Sequence, residues 1–468
     1  MCFSAPMKSK MTPNGGWGWM VVLGAAITNM TNQSIFSQFG LIFGEKLTEM
    51  GCGTGGAALV ININSMITNF SGLVTGPILK HYSARKVTLL GIFLTASGMV
   101  LSSVATNLIE LIISYSVFTG LGLGLIMPAT FVAVNEYFTS RKSQAVGLSM
   151  AGTGVGQMIM PQVVRFLLDE YGYRGTTLIL GALCLNGLPG ALLFHVRSLR
   201  IRHKLKAPFQ PVKWHMIETN TIDEEKQPLL VKHIQIPQTT TRYGVVEEPG
   251  TSSNEDKGKT LLRKVIEFFN FELLKDWVFL HLINGLALVY TCTVAFNMIY
   301  PFFLQNSVGL SRGDTALCMS LLSGADIVAR VTIPMITKHF RISNRMTFLL
   351  GTVCWAVCRS VLAEQHRFSI IILLSLLCGY IRAAAVVNQN LAITEYCKDE
   401  SKIPSAIGLN MVAKGLLVLG VGQFFGWVRD YTKSFVICLH VQSVVMMFVA
   451  LTWSAEMLAR KLYQRYKS

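Results

Sequence analysis

The chain has 468 residues, 51% of them hydrophobic and 14% charged, with 41 basic against 25 acidic side chains for a formal net charge of +16. A soluble domain averages about 25% charged residues, so this composition excludes an ordinary soluble enzyme, a disordered chain and a small disulfide scaffold. Its apolar residues fall into twelve long runs, each near the roughly 20 residues that a bilayer's hydrocarbon core requires.

Residues 1–16 are polar, basic at Lys8 and Lys10, and read as a cytoplasmic tail rather than a cleaved signal peptide. Six apolar runs follow at 17–44, 57–79, 87–106, 108–135, 144–168 and 176–196. The stretch 197–276 then opens with Arg197, Arg200, Arg202, Lys204 and Lys206 and continues through Glu247-Glu248-Pro249-Gly250. Such a composition cannot bury a core and predicts a largely disordered linker. Six further runs lie at 277–305, 315–337, 346–363, 368–395, 404–428 and 434–458, before a tail at 459–468. The expected fold is all-α and polytopic: twelve transmembrane helices in two pseudo-symmetric six-helix halves, 17–196 and 277–458.

Charge predicts orientation. With both tails inside, the short inner segments hold sixteen Lys and Arg, among them Lys80, Arg85, Lys86, Arg141, Lys142, Lys338, Arg341 and Arg345. The outer loops hold seven: Lys46, Arg165, Arg174, Arg312, Arg367, Arg429 and Lys433. Basic residues gather in cytoplasmic loops, so both termini are expected in the cytoplasm. The net charge is then topological, with the lipid bilayer as partner and no nucleic acid. The 10 cysteines show no paired spacing; Cys354 and Cys358 share a helix face, but no His or carboxylate completes a metal site. No metal, cofactor or catalytic triad is expected. Gly258-Lys259-Thr260 ends like a phosphate-binding loop, but Ser253 stands where its first glycine is needed.

The two sets of runs resemble each other. Pro77, Lys80, His81 and Tyr82 after the second run return as Pro334, Lys338, His339 and Phe340 after the eighth. Glu136-Tyr137 and Gly147-Leu148 after the fourth return as Glu395-Tyr396 and Gly408-Leu409 after the tenth. Lys80 to Lys338, Glu136 to Glu395 and Gly147 to Gly408 are shifts of 258, 259 and 261 residues. A parallel six-plus-six repeat is the plan of the major facilitator transporters, with the binding site at midplane between the halves.

Pro13-Asn14-Gly15-Gly16-Trp17-Gly18-Trp19 resembles the signature that opens the first helix of the monocarboxylate transporter family, with Asn14 in place of the acidic residue. Tyr137-Phe138-Thr139-Ser140-Arg141-Lys142, running on to Gly147 and Gly152, resembles the second signature, between helices four and five; Ser140 replaces a basic residue. Asp326 and Arg330 resemble the family's Asp-x-x-x-Arg in helix eight. The chain is thus identified as a divergent member of that family, a solute carrier of the plasma membrane and not an enzyme. The resemblance implies alternating-access transport of a monocarboxylate or related organic anion, by symport with protons or by facilitated diffusion. It also implies, for some members, a single-span immunoglobulin-like ancillary protein. Read from the residues alone, the glycines and tryptophans of both signatures serve helix packing and the interface.

Charge inside the bilayer costs at least about 2.5–3.5 kcal/mol, so it faces a partner or a water-filled cavity. Asp326 and Arg330, four apart on one helix face, form either a structural ion pair or a site in which Asp326 frees Arg330 for a carboxylate and itself takes a proton. A guanidinium suits that role because it binds a carboxylate bidentately. Arg382 and Lys414 lie deep in the tenth and eleventh runs with no acid within four residues. They are expected to add positive potential toward the substrate, to pair across helices, or to snorkel. Tyr290, Asn297 and Gln389 are further candidate lining, with Phe296. Glu110, Glu395, Arg165 and Arg359 lie near run ends and are expected as gates, caps or interface residues.

The lactate-carrying members have a Lys in helix one; that alignment reaches Ser37, and no cation lies between Trp17 and Glu45. The departure points to a larger or zwitterionic carboxylate moved without proton coupling: an aromatic amino acid or its catabolite, or a carnitine- or creatine-like zwitterion. Gln33 and Ser37, four apart, are expected on one cavity-facing stripe or in helix packing. A carrier-fold receptor or scaffold is the reading from another class; buried Asp326 and Arg330 speak against it.

Overall fold

A computed structural model describes residues 16–138, 141–194, 271–397 and 402–467. Gly15, Ser140 and residues 197–270 of the expected linker lie outside the described residues. All regular structure among the described residues is helical, as a bilayer demands: with no water to satisfy peptide groups, the chain must bond them internally. Phe93, Phe166, Leu373 and Leu451 point outward and are exposed. On a soluble protein such apolar surface would be a liability; on a lipid-facing bundle it is the ordinary exterior.

The first segment is not the single helix expected. It forms Trp17–Asn32 and Phe39–Glu49, joined by a 3-10 turn over Ile35–Gln38. The polar run between them competes for the backbone: Ser34 Oγ donates to the Met30 carbonyl at 2.5 Å and Ser37 Oγ to the Ser34 carbonyl at 2.8 Å. The next spans are the second, Thr54–His81, the third, Ala84–Ser102, and the fourth, Leu108–Asn135.

The helix Lys142–Leu185 is too long for one crossing and carries a non-helical residue, Gly172, at φ 62° and ψ −172°; a positive φ is accessible to glycine at little cost. Packing on the first span shows that the chain reverses there. Gly152 meets Ala26 and Gly156 meets Met30, so the two segments advance together. Beyond Gly172, Thr28 bonds Gly187 and Asn32 bonds Cys184, which run the opposite way. These two pieces are the fifth and sixth spans, the latter continued by Gly187–Leu192.

The second half starts at a 3-10 turn, Phe271–Lys275, followed by Asp276, whose carboxylate caps the seventh span by accepting from Val278 N at 3.0 Å. The seventh is Trp277–Phe302, the eighth Arg312–His339, the ninth Asn344–Ala363, the tenth Phe368–Tyr396, the eleventh Ile403–Thr432 and the twelfth Phe435–Lys467. The last continues as helix through residues expected to form a tail. Ten helices among the described residues are long and apolar enough to cross a membrane. Taking the reversal at Gly172 and the broken first segment as one further pass each, we read twelve passes.

The halves meet chiefly where the second span packs on the eleventh and the fifth on the eighth. Moving six spans along the chain turns one of these contacts into the other, as a two-fold relation between the halves requires.

The two signatures pack on each other. A Cβ at Gly18 would sit 3.1 Å from the Phe138 ring and 3.3 Å from Tyr137, and Trp19 meets Phe138 edge-on with centroids 5.1 Å apart. Trp17 Nε1 donates to the Leu193 carbonyl at 3.1 Å. Gly16, at φ 59°, turns the chain into the first helix, and Arg141 is the exposed residue just before the fifth. The second-signature glycines differ: any side chain at Gly152 runs into the Ala26 backbone, whereas Gly147 faces open space. Overpacking costs about 1–3 kcal/mol or more. Gly152→Leu should therefore sharply lower the folded fraction on size-exclusion chromatography of tagged protein, while Gly147→Leu leaves it near wild type; equal effects would mean that this packing does not govern folding.

Candidate anion-binding site

The site is built on the eighth span. Asp326 is only 1% exposed, and Arg330, one turn on, donates Nε to its Oδ2 at 2.5 Å. The tenth span supplies a second guanidinium to the same carboxylate: Arg382 Nη2 donates to Asp326 Oδ1 at 3.2 Å and Nη1 to Asn297 Oδ1, on the seventh span, at 2.9 Å. This meeting depends on Gly379, where even a methyl group would strike the Leu322 backbone. One carboxylate between two guanidinium groups leaves a net charge of +1, and an excess charge in a low dielectric draws a counter-ion.

The two arginines are not equivalent. Arg330 is 32% exposed and its terminal nitrogens make no hydrogen bond among the described residues. Arg382 is buried, its Nε has no acceptor among the described residues, and it lines a small cavity with Ser37 and Gln38 of the first span, Gln157 of the fifth, Asn297 of the seventh and Ser323 of the eighth. The cavity is about 20 Å³, space for roughly one water. Phe296 and Tyr300 form its aromatic wall, stacked at 5.0 Å. Tyr300 is held there because its hydroxyl meets Ser375 Oγ at 2.6 Å; that oxygen spends its proton on the Ile371 carbonyl, so the tyrosine donates.

Of the candidates named from sequence, Asp326, Arg330, Arg382 and Asn297 come together, and Ser37 faces the same cavity. Gln33 does not: the 3-10 turn breaks the expected stripe, and its Nε2 donates to the Leu123 carbonyl at 3.2 Å, a packing contact. Gln389 is buried on the tenth span with Nε2 unpaired among the described residues, outside the cavity lining. Lys414 and Tyr290 form a separate cluster, Nζ lying 4.8 Å from the ring centroid while Asn69 donates to the tyrosine hydroxyl at 3.3 Å; among the described residues Lys414 has no carboxylate partner.

Gln38 was visible only as one of several polar residues of the first span, and sequence reasoning missed Gln157 and Tyr300, which carry no charge and differ in nothing visible from packing residues. It also misplaced Arg359. That side chain is 0% exposed, donating to Gln442 Oε1 at 3.1 Å and to Ser443 Oγ at 3.3 Å, with its guanidinium 5.3 Å from the Trp355 ring centroid. Neutral acceptors and aromatic faces, not an interface, accommodate that charge. Glu110 and Glu395 act at helix starts: Glu110 accepts from Thr106 N at 2.7 Å, and Glu395 from Asn344 N at 2.8 Å.

A paired six-helix bundle with a charged centre between its halves agrees with the comparison of the chain with known families, in which residues 18–423 match the Major Facilitator Superfamily. The chain belongs to the Major Facilitator Superfamily. Within it, the chain is homologous to monocarboxylate transporters at low identity. It is 27% identical to Monocarboxylate transporter 12 of Rattus norvegicus over 437 residues, 92% of this chain and 84% of that protein. It is 26% identical to the Homo sapiens counterpart over 439 residues, 92% of this chain and 79% of that protein. Monocarboxylate transporter 9 of Mus musculus is 36% identical over 180 residues, 38% of this chain and 35% of that protein. Among solved structures, a POT family transporter in complex with a thioalcohol conjugated peptide superposes with a TM-score of 0.68 at 13% identity, covering 94% of this chain and 95% of that one; a likeness at that identity concerns the fold alone. The resemblance read from the signatures is borne out: the chain is a divergent transporter of this superfamily and not an enzyme.

In this facilitator fold the halves are latched at the end of the bundle away from Trp17. Arg312, opening the eighth span, binds Glu45 of the first, with Nε to Oε1 at 3.0 Å, and Asp169 of the fifth, Nη1 to Oδ1 at 3.1 Å. Asp430, ending the eleventh span, accepts from Thr54 N and Gly55 N at the start of the second, at 2.9 and 2.6 Å, where a carboxylate complements the helix dipole. Among the described residues the ion pairs between halves all centre on Arg312. Half-exposed pairs contribute about 0.2–1 kcal/mol each, so Arg312→Gln should shift the equilibrium toward opening at the latched end by about two- to thirtyfold. The readout is labelling of Ser37→Cys, in a cysteine-depleted background, by an impermeant thiol reagent applied at that end; an unchanged rate would mean that the latch does not hold the halves.

Proposed function

We propose that this transporter moves a monocarboxylate or related small organic anion by alternating access, as a facilitative carrier of the plasma membrane with both termini cytoplasmic. The observation that carries the reading is the shared carboxylate: Asp326 neutralises one of two arginines, and the remaining charge sits at the meeting of the halves beside a cavity. A substrate carboxylate enters past the exposed Arg330, takes up the free donors of Arg382, and brings the centre to neutrality. The halves, 17–196 and 277–458, rock about it. In this orientation the Arg312 latch is extracellular and the conformation faces inward. The names of the relatives support the same substrate class.

Proton coupling has no support from the site. Both oxygens of Asp326 are held by guanidinium groups, so taking a proton there means releasing an arginine. Ser37, at the position of the lactate carriers' helix-one Lys, places a neutral hydroxyl in the cavity wall. Uncoupled movement of a larger or zwitterionic carboxylate fits this arrangement.

Labelled uptake in oocytes tests the proposal, with carboxylates beside their uncharged amides. Arg382→Gln is the informative variant, because Asp326 keeps Arg330 and no orphan charge is created. Losing a charge-assisted contact costs about 1.5–3 kcal/mol, so carboxylate uptake should fall about tenfold or more at unchanged surface expression. Uptake should also be the same at pH 6 and 7.5. Retained uptake in Arg382→Gln would move the anchor elsewhere, and acid-stimulated uptake would restore proton coupling.

A further inference from the structure

Two of the residues lining the cavity beside Arg382 carry buried groups without partners among the described residues, and they are chemically opposite. One is the cationic donor Arg382 Nε; the other is the acceptor Gln38 Oε1. Gln38 is 1% exposed, and the orientation of its amide, interchangeable in principle, is fixed by its neighbour. The one proton of Ser37 Oγ goes to the Ser34 carbonyl at 2.8 Å, so that oxygen can only accept, and Gln38 must approach it through Nε2, at 2.9 Å. Its Oε1 is therefore the amide atom left with no donor among the described residues, on a side chain that lines the cavity. The two orphans also belong to different halves, Gln38 to the first span and Arg382 to the tenth.

A ligand that satisfies both needs an anionic acceptor for Arg382 and a hydrogen-bond donor for Gln38. Building on the carboxylate reading above, we propose that Gln38 is a specificity residue and that the transported class is carboxylates bearing a hydroxyl or N–H group close to the carboxylate, in preference to their oxo or unsubstituted counterparts. Phe296 and Tyr300 add an apolar wall on which the rest of such a molecule packs. In this cavity, about 20 Å³, a donor-bearing substrate satisfies Gln38 Oε1; an oxo acid leaves that buried acceptor unpaired, which loses affinity. Because donor and anion engage opposite halves, the same recognition draws the halves together around the bound molecule.

The test uses matched sets of one carbon skeleton, a 2-hydroxy acid, the 2-amino acid, the 2-oxo acid and the unsubstituted acid, at three skeleton lengths, competing for uptake in oocytes expressing the full chain. An unpaired buried acceptor disfavours binding by about five- to 150-fold, so the donor-bearing members should compete better than the oxo and unsubstituted members by at least the lower figure. Gln38→Met, which keeps the reach and removes the acceptor, should bring that ratio close to one in the molecules that reach the surface. Equal competition by all members in the wild type overturns the proposal while leaving the carboxylate reading intact, as does a preference that survives Gln38→Met. Failure of every carboxylate to move through surface-expressed protein overturns both.

Discussion

The structure depends on one carboxylate held by two guanidinium groups. Asp326 is buried so completely that it needs a cation, and two cations so placed need more negative charge than it supplies. That shortfall leaves an excess positive charge at the centre of this bundle, which is why we propose that it receives an anion. Remove Arg382 and the pair Asp326–Arg330 is neutral and self-contained; remove Asp326 and two guanidinium groups lose their shared counter-charge. Each residue's consequence follows from its place in this stoichiometry.

The rest of the fold delivers the three side chains to one point. Gly379 lets the tenth span touch the backbone of the eighth, and the seventh contributes Asn297 to steady Arg382. The first and fifth spans close the other side with Ser37, Gln38 and Gln157, all uncharged. Among the residues placed at this site the charges lie in the second half, while the first half contributes uncharged hydrogen-bonding groups. Arg312 and Asp430 latch the opposite end through half-exposed contacts. Such contacts are weak enough to break, as a carrier that must open to both sides needs.

Much of this was legible in the sequence where the physics is local. Hydropathy located the spans because each must fill a bilayer, and the four-residue spacing paired Asp326 with Arg330. The repeat at 258 to 261 residues anticipated the exchange of the second–eleventh and fifth–eighth contacts. What escaped was tertiary. That Arg382 reaches Asp326 across helices was one of the alternatives the sequence offered, but no spacing within one span chooses it over the others. The break at Ile35–Gln38 depends on side-chain hydroxyls capturing carbonyls, and it redirected Gln33 to a packing contact while leaving Ser37 and Gln38 at the cavity. Arg359 looked terminal because it lies four residues from the end of its helix, yet the twelfth span covers it. The signature motifs, informative about family, proved to be packing between the first span and the fourth–fifth connection.

The most direct measurement of the central claim is the thermal stability of purified protein in detergent, with a transported carboxylate or its isosteric amide added. If the shared carboxylate leaves a site for one anion, the carboxylate raises the melting temperature of the wild type, the amide does not, and Arg382→Gln responds to neither. Stabilisation by the amide as strong as by the acid, or an undiminished carboxylate response in Arg382→Gln, would contradict it.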